Sequence, residues 1–119
     1  MLERRKTHRW QIMRDARVKL DGEVRSVDCY IRDISYRGMQ IASAFRLPQW
    51  PNLKMNVEID NSLLLTLEAA VPWRKGEAGD YVYGLSFNRI RDEQKNEIYE
   101  YVCSHFPLQI KEQWRGSAV

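Results

Sequence analysis

The sequence contains no apolar run that approaches the ~20 residues of a membrane-spanning helix, so we expect no membrane insertion. Met1 to Arg4 lead straight into charged side chains, which leaves no apolar segment of the signal-peptide kind and makes the cytoplasm the expected location. Cysteine is also scarce. Cys29 and Cys103 lie far apart and share no CxxC spacing, which argues against a zinc site or a disulfide framework. We expect both to be buried free thiols.

Catalytic signatures are missing as well. The chain has no Gly-rich phosphate loop before a helix, no nucleophile elbow and no HExxH motif. Glu97 and Glu100 are interpreted as the solvent-facing side of a helix rather than as an acid/base pair. The sequence therefore predicts a binding protein that is not an enzyme, with no catalytic residues, no metal site and no cofactor.

What is present is an ordinary globular composition with an uneven charge. The chain has 119 residues, 44% of them hydrophobic and 29% charged, which fits one soluble domain. The net charge is +3, yet residues 1–25 hold eight Lys/Arg against four Asp/Glu, or +4, so the remainder sums to −1. Such a local positive field suits a compact anion better than a long polyanion.

Apolar alternation with a period of two predicts strands along most of the chain. Asp21-Gly22 is a strong hairpin turn signal, and Pro72 places the far end of a long strand at an edge or opening. By alternation, Trp73 shares the core face of that strand. The predicted strands are 16–20, 27–31, 39–41, 53–59, 63–73 and 81–87. Short strands without intervening helices predict a mostly β protein built as a small six-stranded antiparallel barrel.

Helical spacing appears only towards the C-terminus. Asp92 is a plausible N-cap, and Pro107 should end the helix. The face expected to pack on the barrel consists of Ile98, Tyr101, Val102 and Phe106. Ile110 and Trp114 have the spacing of a short second helix, with Trp114 either packed on the barrel or available to another protein. We expect one domain with an arm (1–10), a barrel (11–90), a helix (91–106) and a tail (107–119).

Two polar segments remain, and the predicted hairpin brings them together. One is the turn Asp33-Ile34-Ser35-Tyr36-Arg37-Gly38, which follows the second strand. The other is the basic arm, residues 3–9, which precedes the first strand and which we expect to be mobile without a ligand. Trp10 at the exit of the arm is equally compatible with the core and with a ligand contact.

The residue types in these segments suit a ligand with both phosphate and guanine. The guanidinium groups of Arg5 and Arg9 match phosphate oxygens and the O6/N7 edge of guanine. Asp33 can accept the guanine N1–H and N2–H donors or orient an arginine. Ser35 can fold back on the turn or donate to a phosphate oxygen. Gly38 permits a positive φ and a close approach of the ligand.

The same residues resemble a known family. Arg5-Lys6-Thr7-His8-Arg9 looks like the RxxxR motif, and residues 33–38 look like the (D/N)xSxxG motif, of PilZ domains, the bacterial receptors for cyclic di-GMP. Residues 69–73 and 83–87 are also similar to the family pattern, and the resemblance covers residues 3–106.

The resemblance implies a split barrel that binds cyclic di-GMP, with an aromatic stacked on a guanine. An arginine ahead of the first motif arginine implies two intercalated ligand molecules per chain. Ordering of the arm on binding would then signal to a protein effector, and no DNA partner is expected. The implied ligand-binding residues are Arg4, Arg5, Arg9, Asp33, Ser35, Arg37 and Gly38, with Trp73 as the stacking partner.

Two other functions stay open. A single-stranded nucleic-acid-binding barrel of the OB type would use the same basic arm together with exposed aromatics. A PilZ domain that binds no nucleotide and acts only through protein contacts would carry the same fold. The intact motifs argue against the second of these.

Overall fold

The computed structural model of the protein describes residues 8–47 and 52–117, with side chains described as far as residue 114. Strands dominate the order of elements, and helices come last. The elements are β1 (Trp10–Leu20), β2 (Val27–Ile34), β3 (Gly38–Ser43), β4 (Leu53–Ile59), β5 (Leu63–Glu77), β6 (Asp80–Arg89), α1 (Asp92–His105) and α2 (Pro107–Ser117).

The strands form a closed antiparallel barrel in the order β1-β2-β3-β6-β5-β4. Alternate side chains point inward, so the period-two pattern of the sequence becomes the core. Each fully buried aliphatic side chain contributes about 1.5–3 kcal/mol. Those with no more than 1% exposure include Ile12, Val18, Ile31, Ile41, Val57, Ile59 and Leu65. The predicted six-stranded barrel is therefore confirmed.

Strand β1 is longer than the alternation predicts, because it begins at Trp10 rather than at residue 16. The Trp10 side chain is only 1% exposed and belongs to the core. Its ring packs edge-on against Tyr36, with ring centroids 5.4 Å apart, and against Tyr99 at 6.3 Å. Of the two interpretations of Trp10, the core position is the one that the structure adopts.

Helix α1 packs on the barrel through the predicted face. Ile98, Tyr101 and Val102 are buried, and Phe106 is half-buried at the C-cap. The predicted cap is wrong by one residue, since Arg91 is the N-cap and makes no side-chain hydrogen bond. Asp92 is instead the first helical residue, where a carboxylate interacts favourably with the positive end of the helix dipole.

The tail forms the second helix, α2, as its spacing suggests. Pro107 ends α1 and also begins α2, a position that suits proline because the first helical residue has no intrahelical N–H bond to lose. Trp114 is 62% exposed and is therefore not packed away on the barrel. Within the described part of the chain, neither helix has the length and apolar character needed to cross a membrane.

The two cysteines differ in environment. Cys29 is buried, and burial, followed by the nearby carboxylates of Asp28 and Asp15, raises the pKa of its thiol to about 12. Cys103 is only half-buried. The expectation of two buried thiols therefore holds for Cys29 but not fully for Cys103.

Gly38 is needed for a reason that the sequence does not reveal. The expected advantage was a positive φ, but Gly38 is not among the described residues with one. It is buried in β3 beside β6, and a Cβ atom there would lie 2.0 Å from the backbone oxygen of Leu85. Any larger residue must push the two strands apart.

We therefore expect Gly38→Ala to lower the free energy of unfolding by about 1–3 kcal/mol, the usual cost of overpacking a tight site. Gly76→Ala is the matched control in β5, because a Cβ atom there meets nothing within 4 Å and its φ is not positive. Chemical denaturation of both variants makes the comparison. Equal unfolding midpoints for Gly38→Ala and wild type would contradict this role.

Candidate functional site

Strand pairing places residues of five neighbouring strands in one line across the barrel. Gln11 of β1 lies opposite Asp33 of β2, Asp33 opposite Gln40 of β3, Gln40 opposite Gly84 of β6, and Gly84 opposite Trp73 of β5. We call this line the cross-strand row. With neighbouring strands about 4.8 Å apart, its four steps span roughly 19 Å.

Register irregularities flank the cross-strand row on several strands. They lie between Gln11 and Arg14 in β1, between Ile31 and Asp33 in β2, and between Ala70 and Trp73 in β5. A bulge adds an unpaired residue, bends its strand and redirects the side chains that follow. Such features concentrate next to functional sites, so their grouping here marks this surface.

The bulge in β5 changes the expected position of Trp73. Unbroken alternation predicts that Trp73 shares the core face, but its side chain is 40% exposed. The prediction is wrong because the register shifts between Ala70 and Trp73, which reverses the phase of the strand. Pro72 lies in this bulge, where its missing N–H costs no ladder hydrogen bond.

The end of the arm meets the turn at Asp33. A terminal nitrogen of Arg9 donates to a carboxylate oxygen of Asp33 in a direct ion pair. Asp33 is only 5% exposed, and a buried carboxylate requires such a partner. The Arg9 side chain is 44% exposed, so the rest of its guanidinium faces outward. The structure thus brings Arg9, the last residue of the basic arm, to the turn that the predicted hairpin was expected to place beside it. Residues 3–7 of the arm lie outside the described residues.

Ser35 fixes the turn that follows. Its hydroxyl accepts the N–H groups of Arg37 at 3.0 Å and Gly38 at 3.2 Å, and it contacts the Gly38 carbonyl at 3.3 Å. Ser35 is only 1% exposed, so these contacts lie within the protein. The turn also carries Tyr36, whose pKa is raised by burial and, to a lesser degree, by Tyr99. The turn is therefore rigid and presents the exposed side chain of Arg37 outward.

Arg9, Arg37 and Trp73 line one cavity of about 350 Å³. Arg37 has no ion pair among the described residues, so its charge is available. The indole of Trp73 lies against the backbone of Gly84, where a Cβ atom would fall 2.3 Å from the ring. Gly84 therefore provides the space that holds this ring, a role that sequence analysis missed.

A second cavity of about 600 Å³ lies on the other side of Asp33. Gln40 lines both cavities, is half-buried and has no side-chain hydrogen bond among the described residues. In the sequence, only the position of Gln40 two residues beyond the turn indicates that it could belong to the site. Arg32 also lines the second cavity and forms a salt bridge with Glu77. The hydrogen bond and the charge of Arg32 lower the pKa of the Glu77 carboxyl.

Of the predicted ligand-binding residues, Arg4 and Arg5 lie outside the described residues. The structure gathers Arg9, Asp33, Arg37 and Trp73 on one surface. Ser35 and Gly38 are buried directly beneath it and hold the turn in place.

Helix α2 holds the first residues of β1. The side-chain amide of Gln109 accepts the Gln11 N–H at 2.9 Å and donates to the Gln11 carbonyl, as a neighbouring strand would. The indole N–H of Trp10 donates to Gln113 at 3.1 Å. The segment directly after Arg9 is therefore fixed to both the barrel and α2.

Solved structures with the same fold are known. YcgR of Escherichia coli in complex with c-di-GMP superposes with a TM-score of 0.66 at 11% identity, over 97% of this chain and 50% of that chain. The Bacillus subtilis inhibitor of motility, MotI/DgrA, gives 0.63 at 14% identity, over 96% and 53%. The chain thus spans about half the length of these two proteins.

The PilZ domain of E. coli YcgR with c-di-GMP gives a TM-score of 0.60 at 12% identity, over 98% of this chain and 99% of that chain. At such identities the likeness establishes the fold. No curated protein matches the sequence significantly. The family model described as PilZ domain, however, matches residues 3–103, which is most of the chain. The protein belongs to the PilZ domain family.

Proposed function

We propose that this chain is a receptor for cyclic di-GMP, which it holds along the cross-strand row, and that binding is passed on to a protein partner. The observation that carries the proposal is the Arg9–Asp33 ion pair near the β1 end of the row, together with the exposed Trp73 at the β5 end. Family membership supports it, as do the two similar structures that contain c-di-GMP.

In this proposal the arginines bind the phosphates of the ligand. Arg9 uses one terminal nitrogen for Asp33 and keeps its other donors for a phosphate oxygen. Arg37 has no competing carboxylate among the described residues. Guanidinium groups bind phosphate through parallel N–H bonds, which fixes orientation as well as charge. Ser35 and Gly38 contribute by setting the turn from which Arg37 projects.

Asp33 and Trp73 bind the guanine bases in this proposal. A carboxylate matches the adjacent N1–H and N2–H donors of guanine, and Asp33 has one oxygen that Arg9 does not occupy. The Trp73 indole rests on Gly84 and offers an exposed surface for stacking. Arg4 and Arg5 would add donors from the arm, and Arg4 favours two intercalated ligand molecules per chain.

The effect of ligand binding would pass to α2 through the first residues of β1. Ligand binding orders the arm across the mouth of the barrel, and the arm continues directly into Trp10 and Gln11. Gln109 and Gln113 of α2 hold these two residues, so a change at Arg9 reaches the helix that presents the exposed Trp114. The new surface then engages or releases the partner.

The arginine contact gives the first test. Arg9→Ala should weaken cyclic di-GMP binding about ten- to a hundredfold, because a hydrogen bond to a charged group is worth roughly 1.5–3 kcal/mol. Arg17→Ala is the matched control. Arg9 directly precedes β1 and Arg17 lies within it, and Arg17 also pairs with a carboxylate, that of Glu58, at 2.7 Å. Calorimetry gives the affinity and the saturating ratio, expected to be two. Wild-type affinity in Arg9→Ala would defeat the arginine assignment.

The stacking surface is tested separately. Trp73→Ala should weaken binding by roughly five- to a hundredfold, as stacking contributes about 1–3 kcal/mol per base, whereas Trp73→Phe should keep most of the affinity. Gly84→Ala should cause a similar loss by displacing the indole without removing it. Trp114→Ala, an exposed tryptophan on α2, serves as the control. Unchanged affinity in Trp73→Ala argues against stacking.

Hydrogen exchange tests the transmission. Saturating cyclic di-GMP should slow amide exchange in residues 3–10 and alter it in α2, while β4 stays unchanged. In Gln109→Ala, which loses both contacts with the Gln11 backbone but keeps the Trp10–Gln113 hydrogen bond, the effect on α2 should be reduced although the ligand still binds. If exchange in residues 3–10 does not slow in the wild type, ordering of the arm is not the signal.

A further inference from the structure

A second basic cavity lies away from the cross-strand row, where β4, β5 and β6 meet the start of α1. Its volume is about 240 Å³. The side chains that line it include Lys54, Thr66, Glu68, Arg89, Arg91 and Gln94. It shares no residue with the two cavities at the row.

The cations of this cavity are poorly neutralised. Glu68 lies between Lys54 and Arg89 in the strand register, yet neither cation forms an ion pair within the described ranges. Arg91 has only a long contact of 4.0 Å with Glu93. Three cations therefore converge on a space that contains a single carboxylate, Glu68, and positive charge is in excess.

Gln94 of α1 also lines this cavity. It is only 5% exposed, and its side-chain amide has no hydrogen-bond partner among the residues that the structure describes. Neither side-chain polar atom of Gln94 is among the fully buried unpaired atoms of the described residues, so the amide reaches the surface of the cavity that it lines and can offer its donors to a ligand there. Arg91, the N-cap of α1, places its own cation beside the same region, while the carboxylates of Asp92 and Glu93 in the first turn already face the positive end of the helix.

We propose that this cavity binds a small phosphate group, through the cations of Lys54, Arg89 and Arg91 and the amide donor of Gln94. Its volume is below those of the cavities at the row, which favours a phosphate monoester or inorganic phosphate over a dinucleotide. Arg89 lies five residues beyond Gly84 on β6, or about 16 Å along the strand, so this site does not depend on the proposed cyclic di-GMP site.

The test uses the whole chain and two probes, inorganic phosphate and O-phosphoserine, each compared with chloride at equal ionic strength. Both should shift the side-chain amide resonances of Gln94 in a saturable way and raise the melting temperature. Arg89→Gln should weaken phosphate binding about tenfold or more, and Arg89→Lys less. Lys111→Gln, an exposed cation on α2, is the control.

Gln94→Leu separates binding from folding. It removes the unpaired amide, so the melting temperature without phosphate should be kept or raised, while the increase caused by phosphate is lost. A preference for O-phosphoserine would identify a phosphorylated side chain as the ligand, and equal binding would indicate phosphate alone. Equal effects of phosphate and chloride, or wild-type phosphate affinity in both Arg89→Gln and Lys54→Gln, would overturn the proposal. Cyclic di-GMP affinity should be the same in all these variants.

Discussion

Closure of the six-stranded barrel constrains every part of the candidate site. Each strand in the closed order has a hydrogen-bonded neighbour on both sides, so no strand can slip without breaking two ladders. A slip of one residue would also turn the core side chains of that strand outward, which makes the register costly to change. Gln11, Asp33, Gln40, Gly84 and Trp73 therefore lie in one row because the core demands it, although they belong to five separate strands.

The Arg9–Asp33 pair joins this rigid surface to the arm. Removing a buried carboxylate from water is costly, and Arg9 offsets that cost. A ligand with phosphates and guanine donors offers both members of the pair new partners at once. The next residue, Trp10, is part of the core and donates a hydrogen bond to Gln113 of α2. The proposed signal would pass from Arg9 through this residue to the barrel and the helix.

Alternation and turn signals were enough to predict the barrel, most residues of its strands and the position of Arg9 beside the turn. They failed where a local irregularity interrupts the pattern. Trp73 points outward because a bulge precedes it, and period-two counting cannot detect an extra residue. Gly38 is required by the close approach of Leu85, a neighbour 47 positions away in the chain that only the fold reveals. Gln40 lies in no motif, and Gly84 lies in a stretch that resembles the family pattern without an assigned role. The place of both residues in the row is visible only in the fold.

The central claim is that the row, completed by the arm, recognises a cyclic guanine dinucleotide. The most direct measurement is a titration of the wild-type chain with cyclic di-GMP, repeated with GTP and with linear pGpG as ligands. The account predicts saturable binding of cyclic di-GMP and much weaker binding of the other two, since only the cyclic molecule presents both guanines and both phosphates in a fixed arrangement. Binding of all three alike, or of none, would contradict it.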